Sequence, residues 1–242
     1  TMKKIILFAA FVIYALSLSA QDDKVFVKDA NAQPRTLSGS FTGVSVSGSV
    51  DLYLSQSDEE VVVVSAATPE LRDRIVTEIK DGVLEIYFKD KGFKWTRDKK
   101  LKAYVSFKTL NKLRASGSSD IYANGVIKSN ALQLTLSGAS DFKGAIDVQE
   151  LSINQSGSSD SQISGRADKV NILVSGASDV KGYDLITDYC EANASGASDI
   201  QLTVNKEINA VASGSSDISY KGSATVSKVI SSGSSSVKKS GK

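Results

Sequence analysis

The pentad Ser-Gly-(Ser/Ala)-Ser-Asp occurs six times in the second half of the chain, at residues 116–120, 137–141, 156–160, 175–179, 195–199 and 213–217. A degenerate seventh copy, Ser232-Gly233-Ser234-Ser235-Ser236, follows, and a variant, Ser47-Gly48-Ser49-Val50-Asp51, stands near the start. The glycines at 117, 138, 157, 176, 196, 214 and 233 are separated by 21, 19, 19, 20, 18 and 19 residues. A fixed period of this length marks a repeat architecture, in which one unit cannot bury its apolar side alone and must stack on its neighbours.

Apolar residues alternate before each glycine: Leu132, Leu134, Leu136; Leu151, Ile153; Val170, Ile172, Val174; Cys190, Ala192, Ala194; Ile208, Ala210, Ala212. After each aspartate the next residue is apolar in five copies, Ile121, Phe142, Val180, Ile200 and Ile218, with Ser161 the exception. Period-two alternation without a 3.6-residue pattern predicts strands. Each repeat then holds two or three short strands separated by turns, in a closed coil of roughly 60 Å whose neighbours stack about 4.8 Å apart. The expected fold is all-β: a right-handed parallel β-helix or β-solenoid with coils of about 19 residues. The leucine and asparagine spacing of leucine-rich repeats is absent, and a β-propeller blade needs about twice this period.

Four segments are expected from the pattern. Residues 1–20 carry Lys3 and Lys4, an apolar run at 5–16 and a small residue, Ala20, before Gln21-Asp22-Asp23, which describes a secretory signal peptide. The apolar run is too short for a comfortable membrane span, so no transmembrane segment is expected in the mature chain. Residues 21–34 read as a flexible N-terminal segment, 35–115 as an irregular N-terminal β lobe, and 116–239 as the solenoid. In the lobe, residues 41–54, 61–64, 83–88 and 101–107 read as strands. Thr68-Pro69-Glu70 followed by Leu71, Ile75 and Ile79 predicts one short helix ending at Asp81-Gly82. Lys238, Lys239 and Lys242 discourage end-to-end stacking at the C-terminus.

Composition narrows the chemistry. The chain has no histidine and one cysteine, Cys190, so neither a His-based nucleophile system, a His-ligated metal nor an intramolecular disulfide is available. Of its 39 serines, 15 lie in the six pentads, where glycine suits a strained turn and Ser and Asp side chains bond turn amides. The formal charge of +2 belongs to the signal segment: without residues 1–20 the chain has 27 basic and 27 acidic residues. That balance gives no warrant for nucleic-acid binding.

The pentad aspartates Asp120, Asp141, Asp160, Asp179, Asp199 and Asp217 are expected to form one row, the candidate ligand-facing feature. Adjacent carboxylates at that spacing repel by roughly 1 kcal/mol in water, which hard cations could relieve, but the dense glycine-aspartate pattern of calcium-binding β-rolls is missing. No metal site, catalytic residue or cofactor is therefore expected. Residues 89–102 hold seven basic and two acidic residues around two aromatics, and Phe93, Lys94, Trp95 and Arg97 form a candidate contact loop. Cys190 fills the slot of Leu132, Leu151, Val170 and Ile208 and reads as a buried small hydrophobe.

The secretion signal, the opening at residues 41–52 (FTGVSVSGSVDL), the Asp81-Gly82-Val83-Leu84-Glu85-Ile86 strand and the serial pentads together resemble the putative auto-transporter adhesin head GIN domain family. The resemblance covers residues 35–239. It implies an extracytoplasmic, mostly β-helical domain without known catalytic activity, and it carries over no functional residues. The expected function is a non-catalytic binding or structural protein of the bacterial envelope, adhesin-like, presenting repeated Ser/Asp turns to a polysaccharide or protein partner. The alternatives are a β-helix polysaccharide lyase or hydrolase, for which the short even steps leave little room for cleft-forming loops, and a periplasmic regulatory partner module.

Overall fold

A computed structural model of the chain describes residues 29–90 and 99–241. The expected signal peptide and the candidate contact residues Phe93, Lys94, Trp95 and Arg97 lie outside the described residues. The N-terminal part holds β1 (Gln33–Arg35), β2 (Gly43–Ser47), β3 (Asp51–Gln56), β4 (Val61–Ser65), α1 (Pro69–Arg72), β5 (Ile75–Lys80), β6 (Val83–Phe88), β7 (Lys102–Phe107) and β8 (Lys112–Ala115). The repeats supply β9 (Ile121–Leu136), β10 (Phe142–Gln155), β11 (Asp160–Val174), β12 (Asp179–Ala194) and β13 (Asp199–Gly214). The chain closes with β14 (Asp217–Lys221), β15 (Thr225–Gly233) and β16 (Ser236–Lys239).

The repeats stack as a parallel β-solenoid of about seven turns. From β9 to β13 every strand pairs in parallel with the next, one coil further along. Each coil is one long strand of 14 to 16 residues rather than the two or three short strands expected. The pentad is its one sharp turn. Between β9 and β10, β11 and β12, and β12 and β13 the pairing also passes small register shifts, beyond which hydrogen bonding to the neighbouring coil resumes within a few residues.

The variant pentad at 47–51 belongs to the same stack. β2 lies between β6 and β8, and β3 lies between β7 and β9, all in parallel. Residues 43–56 therefore form a complete rung inserted between strands that follow it in sequence. Beyond that rung the stack is closed by antiparallel strands: β5 on β6, β4 on β7 and β1 on β4.

The helix is shorter than its apolar spacing implied. The Thr68 hydroxyl caps a single turn by accepting the Leu71 amide at 3.4 Å. Ile75 and Ile79 then lie on β5, a strand hairpinned to β6 through Asp81 and Gly82, which have φ of 49° and 72°. An Asp-Gly pair with both residues at positive φ suits the twist of a two-residue hairpin. The β-branched run Ile75-Val76-Thr77 adds strand preference, so the hairpin overrides the three-to-four-residue spacing of Leu71, Ile75 and Ile79.

The core is a set of stacked inward ladders, Leu132-Leu151-Val170-Cys190-Ile208 and Leu134-Ile153-Ile172-Ala192-Ala210 among them, all buried. One rung carries a polar insert. Ser161, the exception in its column, donates to Gln155 Oε1 at 2.6 Å, while Gln155 Nε2 donates to the carbonyls of Ser159 and Asp179. With its groups paired, this buried pair avoids the cost of unmet polar atoms. At the C-terminal end the inward ladders emerge into solvent. Val226 and Val229 continue the columns of Ile208 and Ala210 but are 41% and 46% exposed. Lys239 occupies the column of the buried Tyr220, an inward-position charge of the kind that blunts an open sheet edge.

Candidate functional site

Each pentad divides its labour among its residues. The glycine adopts a left-handed conformation, with φ of 84° at Gly157. A Cβ there would collide with the carbonyl oxygen of Gly138 on the previous coil, and that same carbonyl accepts the Ser158 amide at 2.8 Å. Glycine is thus required both by the turn and by the closeness of the coils. The fourth pentad residue turns inward: Ser119, Ser140, Ser159, Ser178, Ser198 and Ser216 are fully buried. All these hydroxyls bridge coils except that of Ser198, which donates to the Ser195 carbonyl within its own turn. Ser119 Oγ accepts the Val50 amide at 3.1 Å, Ser140 Oγ that of Ser119 at 3.3 Å, and Ser178 Oγ that of Ser159 at 3.1 Å.

The six aspartates form the expected row, in direct register from Asp160 to Asp217. Their carboxylates are engaged along the stack. Oδ1 of Asp120, Asp141, Asp160, Asp179 and Asp199 each accepts the backbone N–H of the next aspartate in the row, at 3.0 to 3.3 Å. Asp217 Oδ1 ends the series by accepting from Ser236 Oγ at 2.6 Å. Backbone donors thus do what bound cations were considered for, offsetting the mutual repulsion of the row. Asp160 Oδ2 also receives the Lys181 ammonium at 2.9 Å. Among the described residues no three or more His, Cys, Asp or Glu side chains converge as a metal site.

A second feature was not read from the sequence. A groove of about 560 Å³ crosses the coils ahead of the pentads, lined by the outward row Gln133, Ser152, Asn171, Glu191 and Asn209 and by Glu150, Lys169, Tyr189 and Glu207 beside it. These residues are in register from coil to coil. A neighbouring hollow of about 810 Å³ shares Asn111 and Ala131 with it and adds Lys128, Asp147, Arg166 and Asp168. The polar members of the groove are the outward alternates of strands whose inward residues announced the core, and only the coil register shows that they form rows. Cys190 sits at the groove floor, 4% exposed, its thiol pushed up to about 12 by burial and then by the Glu191 charge. It is protonated at neutral pH and is no nucleophile there.

Turn ladders that tie the coils together, outward polar rows and a long groove define a rigid β-solenoid that displays a repeated surface. The chain belongs to the family described as putative auto-transporter adhesin, head GIN domain, whose model matches residues 40–224. It is similar in structure to a putative adhesin from Bacteroides fragilis, with 23% identity, TM-score 0.77, and 86% of this chain and 95% of that one covered. A putative lipid binding protein from Parabacteroides distasonis has 24% identity and TM-score 0.66, covering 88% and 98% of the two chains. A putative adhesin from Parabacteroides merdae has 19% identity and TM-score 0.64, covering 88% and 97%. At these identities the likeness shows the fold. No curated protein matches the chain in sequence. Among the described residues no helix is long and apolar enough to cross a membrane.

Proposed function

We propose that the protein is a non-catalytic, adhesin-like scaffold exported through the signal at residues 1–20, and that its groove holds an extended polysaccharide. The observation that carries this reading is the groove itself: an in-register row of amides, a hydroxyl and a carboxylate, Gln133, Ser152, Asn171, Glu191 and Asn209, running across five coils. Stacked coils repeat every 4.8 Å or so, so such a row offers many weak contacts on one stiff support, the arrangement from which avidity arises. The pentad aspartates add a row along the turns, and the segment holding Phe93, Lys94, Trp95 and Arg97 is a further contact for a polysaccharide or envelope protein.

Binding of the chain lacking residues 1–20 to an array of envelope and host polysaccharides tests the proposal. Capture of an extended glycan, weakened roughly tenfold by the pair Asn171→Ala and Tyr189→Ala, supports it. Release of new chain ends from a bound polysaccharide would instead show the lyase or hydrolase alternative. Recovery of a single protein partner with no glycan bound would show the regulatory one.

A further inference from the structure

A second concavity, of about 470 Å³, lies against the N-terminal rungs and shares no residue with the groove. Its wall is a stack of three tyrosines from three separate strands. Tyr53 lies between Tyr104 and Tyr122, with ring centroids 5.0 and 5.2 Å away and planes inclined by 20° and 21°. The outer two hydroxyls are committed, Tyr104 donating to Asp29 at 2.7 Å and Tyr122 to Asp120 at 3.2 Å. The central Tyr53 hydroxyl has no hydrogen bond within the described residues. Ala123, Asn124 and Lys143 complete the wall together with Leu54. Lys143 follows Tyr122 in register on the next coil and has no carboxylate partner among the described residues, whereas Lys181, two coils further in the same column, is bound to Asp160.

This is also where the repeat is broken. The step from Gly117 to Gly138 is the longest of the series at 21 residues, and the additional residues enter between Tyr122 and Val126, opposite Lys143 and Ala145. Gly125 takes a φ of 80° within this bulge. Gly144 leaves Ala123 its space, since a Cβ there would stand 2.6 Å from that of Ala123. Ser55, two residues from Tyr53 and paired with Asn124, is 3% exposed, and its Oγ is the buried side-chain oxygen left without a hydrogen bond among the described residues. Bulges and unmet polar groups concentrate at binding sites.

The chemistry of the lining selects a ligand. Lys143 is the one charged side chain among the lining residues, and its ammonium has no ion pair among the described residues, so an anion is favoured at that end of the hollow, while Asp29 and Asp120 accept from the hydroxyls of Tyr104 and Tyr122. The faces of the tyrosines are largely taken up by one another, leaving edges, the positive part of an aromatic ring. The hydroxyl of Tyr53 and the carboxamide of Asn124 suit ligand hydroxyls, Ala123 offers apolar contact, and the volume is that of a small-molecule site. We infer that this hollow binds a carboxylated sugar unit, with its carboxylate on Lys143 and its hydroxyls on Tyr53 and Asn124.

The test is calorimetric and NMR titration of the chain lacking residues 1–20 with glucuronate, galacturonate and N-acetylneuraminate, with glucose and acetate as controls. The expected result is saturable binding of at least one acidic sugar, with glucose and acetate each weaker by tenfold or more. Lys143→Met is expected to weaken that binding roughly tenfold and Tyr53→Phe several-fold, while the melting temperature stays near the parent's. Failure of all three acidic sugars to bind overturns the inference, as do acetate binding equal to the sugar's or Lys143→Met binding equal to the parent's. The groove variants Asn171→Ala and Tyr189→Ala should leave this binding unchanged, so its failure is separable from that of the polysaccharide reading.

Discussion

Asp160 Oδ1 accepts the backbone amide of Asp179 at 3.2 Å, although the two residues are 19 apart in sequence. The carboxylate of one coil is thereby the cap of the next, which makes the row structural before it is anything else. Replacing Asp160 by Asn keeps an acceptor and should change stability little. Asp160→Ala removes it together with the shorter of the two Lys181 ion pairs, and should cost about 0.5–1.5 kcal/mol. Urea unfolding of the two variants compares them, and equal midpoints would show that the bond contributes nothing.

Gly157 tests the coil spacing. Substitution by Ala or Val imposes a Cβ on a residue at φ 84° and drives it against the Gly138 carbonyl. A loss of several kcal/mol is expected, larger than the 1–3 kcal/mol of an ordinary strained residue, because the neighbouring coil must move as well. Calorimetric melting at the parent temperature would contradict the turn geometry.

Ser178 tests the buried ladder. Ser178→Ala leaves the Ser159 amide without the hydroxyl that accepts it at 3.1 Å, in a site closed to solvent. The expected loss is about 1–3 kcal/mol, accompanied by faster exchange of the Ser159 amide proton in NMR. Unchanged protection of that amide would show another acceptor.

Asp51, at the head of the aspartate series, should make stability fall toward neutral pH. Burial, followed by the charge of Asp120, holds its carboxyl above the usual 3.8. The folded chain therefore keeps this proton to higher pH than the unfolded chain does, and stability is eroded as pH rises from 3.8 through the folded value. Asp51→Asn retains an acceptor for the Asp120 amide and should exceed the parent in stability at neutral pH, the gap closing below pH 3.8. Denaturation at the two pH values decides it, and a parent-like midpoint at neutral pH would be contrary.

Cys190 should resist alkylation in the native chain. Its thiol is buried and raised to about 12, so iodoacetamide at pH 8 should label it only after unfolding. Rapid native labelling would mean that the groove floor opens.

The solenoid was legible because its cause is local and repeated: the inward alternation of Leu132, Leu134 and Leu136 and the Gly-containing turn recur at nearly constant spacing. The single-turn helix was misjudged in length because Leu71, Ile75 and Ile79 satisfy a helical spacing that the Asp81-Gly82 hairpin overrides. The role of the aspartate Oδ1 atoms was hidden because hydrogen bonds between coils depend on register to within one residue. The tyrosine stack was beyond reach for another reason: Tyr53, Tyr104 and Tyr122 come from three strands whose order in space, β7-β3-β9, differs from their order in the chain.

Because each rung from Gly138 to Gly214 hands the same amides and oxygens to the next, the rungs are interchangeable parts. Loss or duplication of one coil beyond β10, the strand that supplies Lys143 to the tyrosine hollow, would join equivalent surfaces and shift the far end by one strand spacing of about 4.8 Å, leaving the cap and that hollow untouched. Length in this molecule is set by the number of coils, independently of the chemistry at its N-terminal rungs.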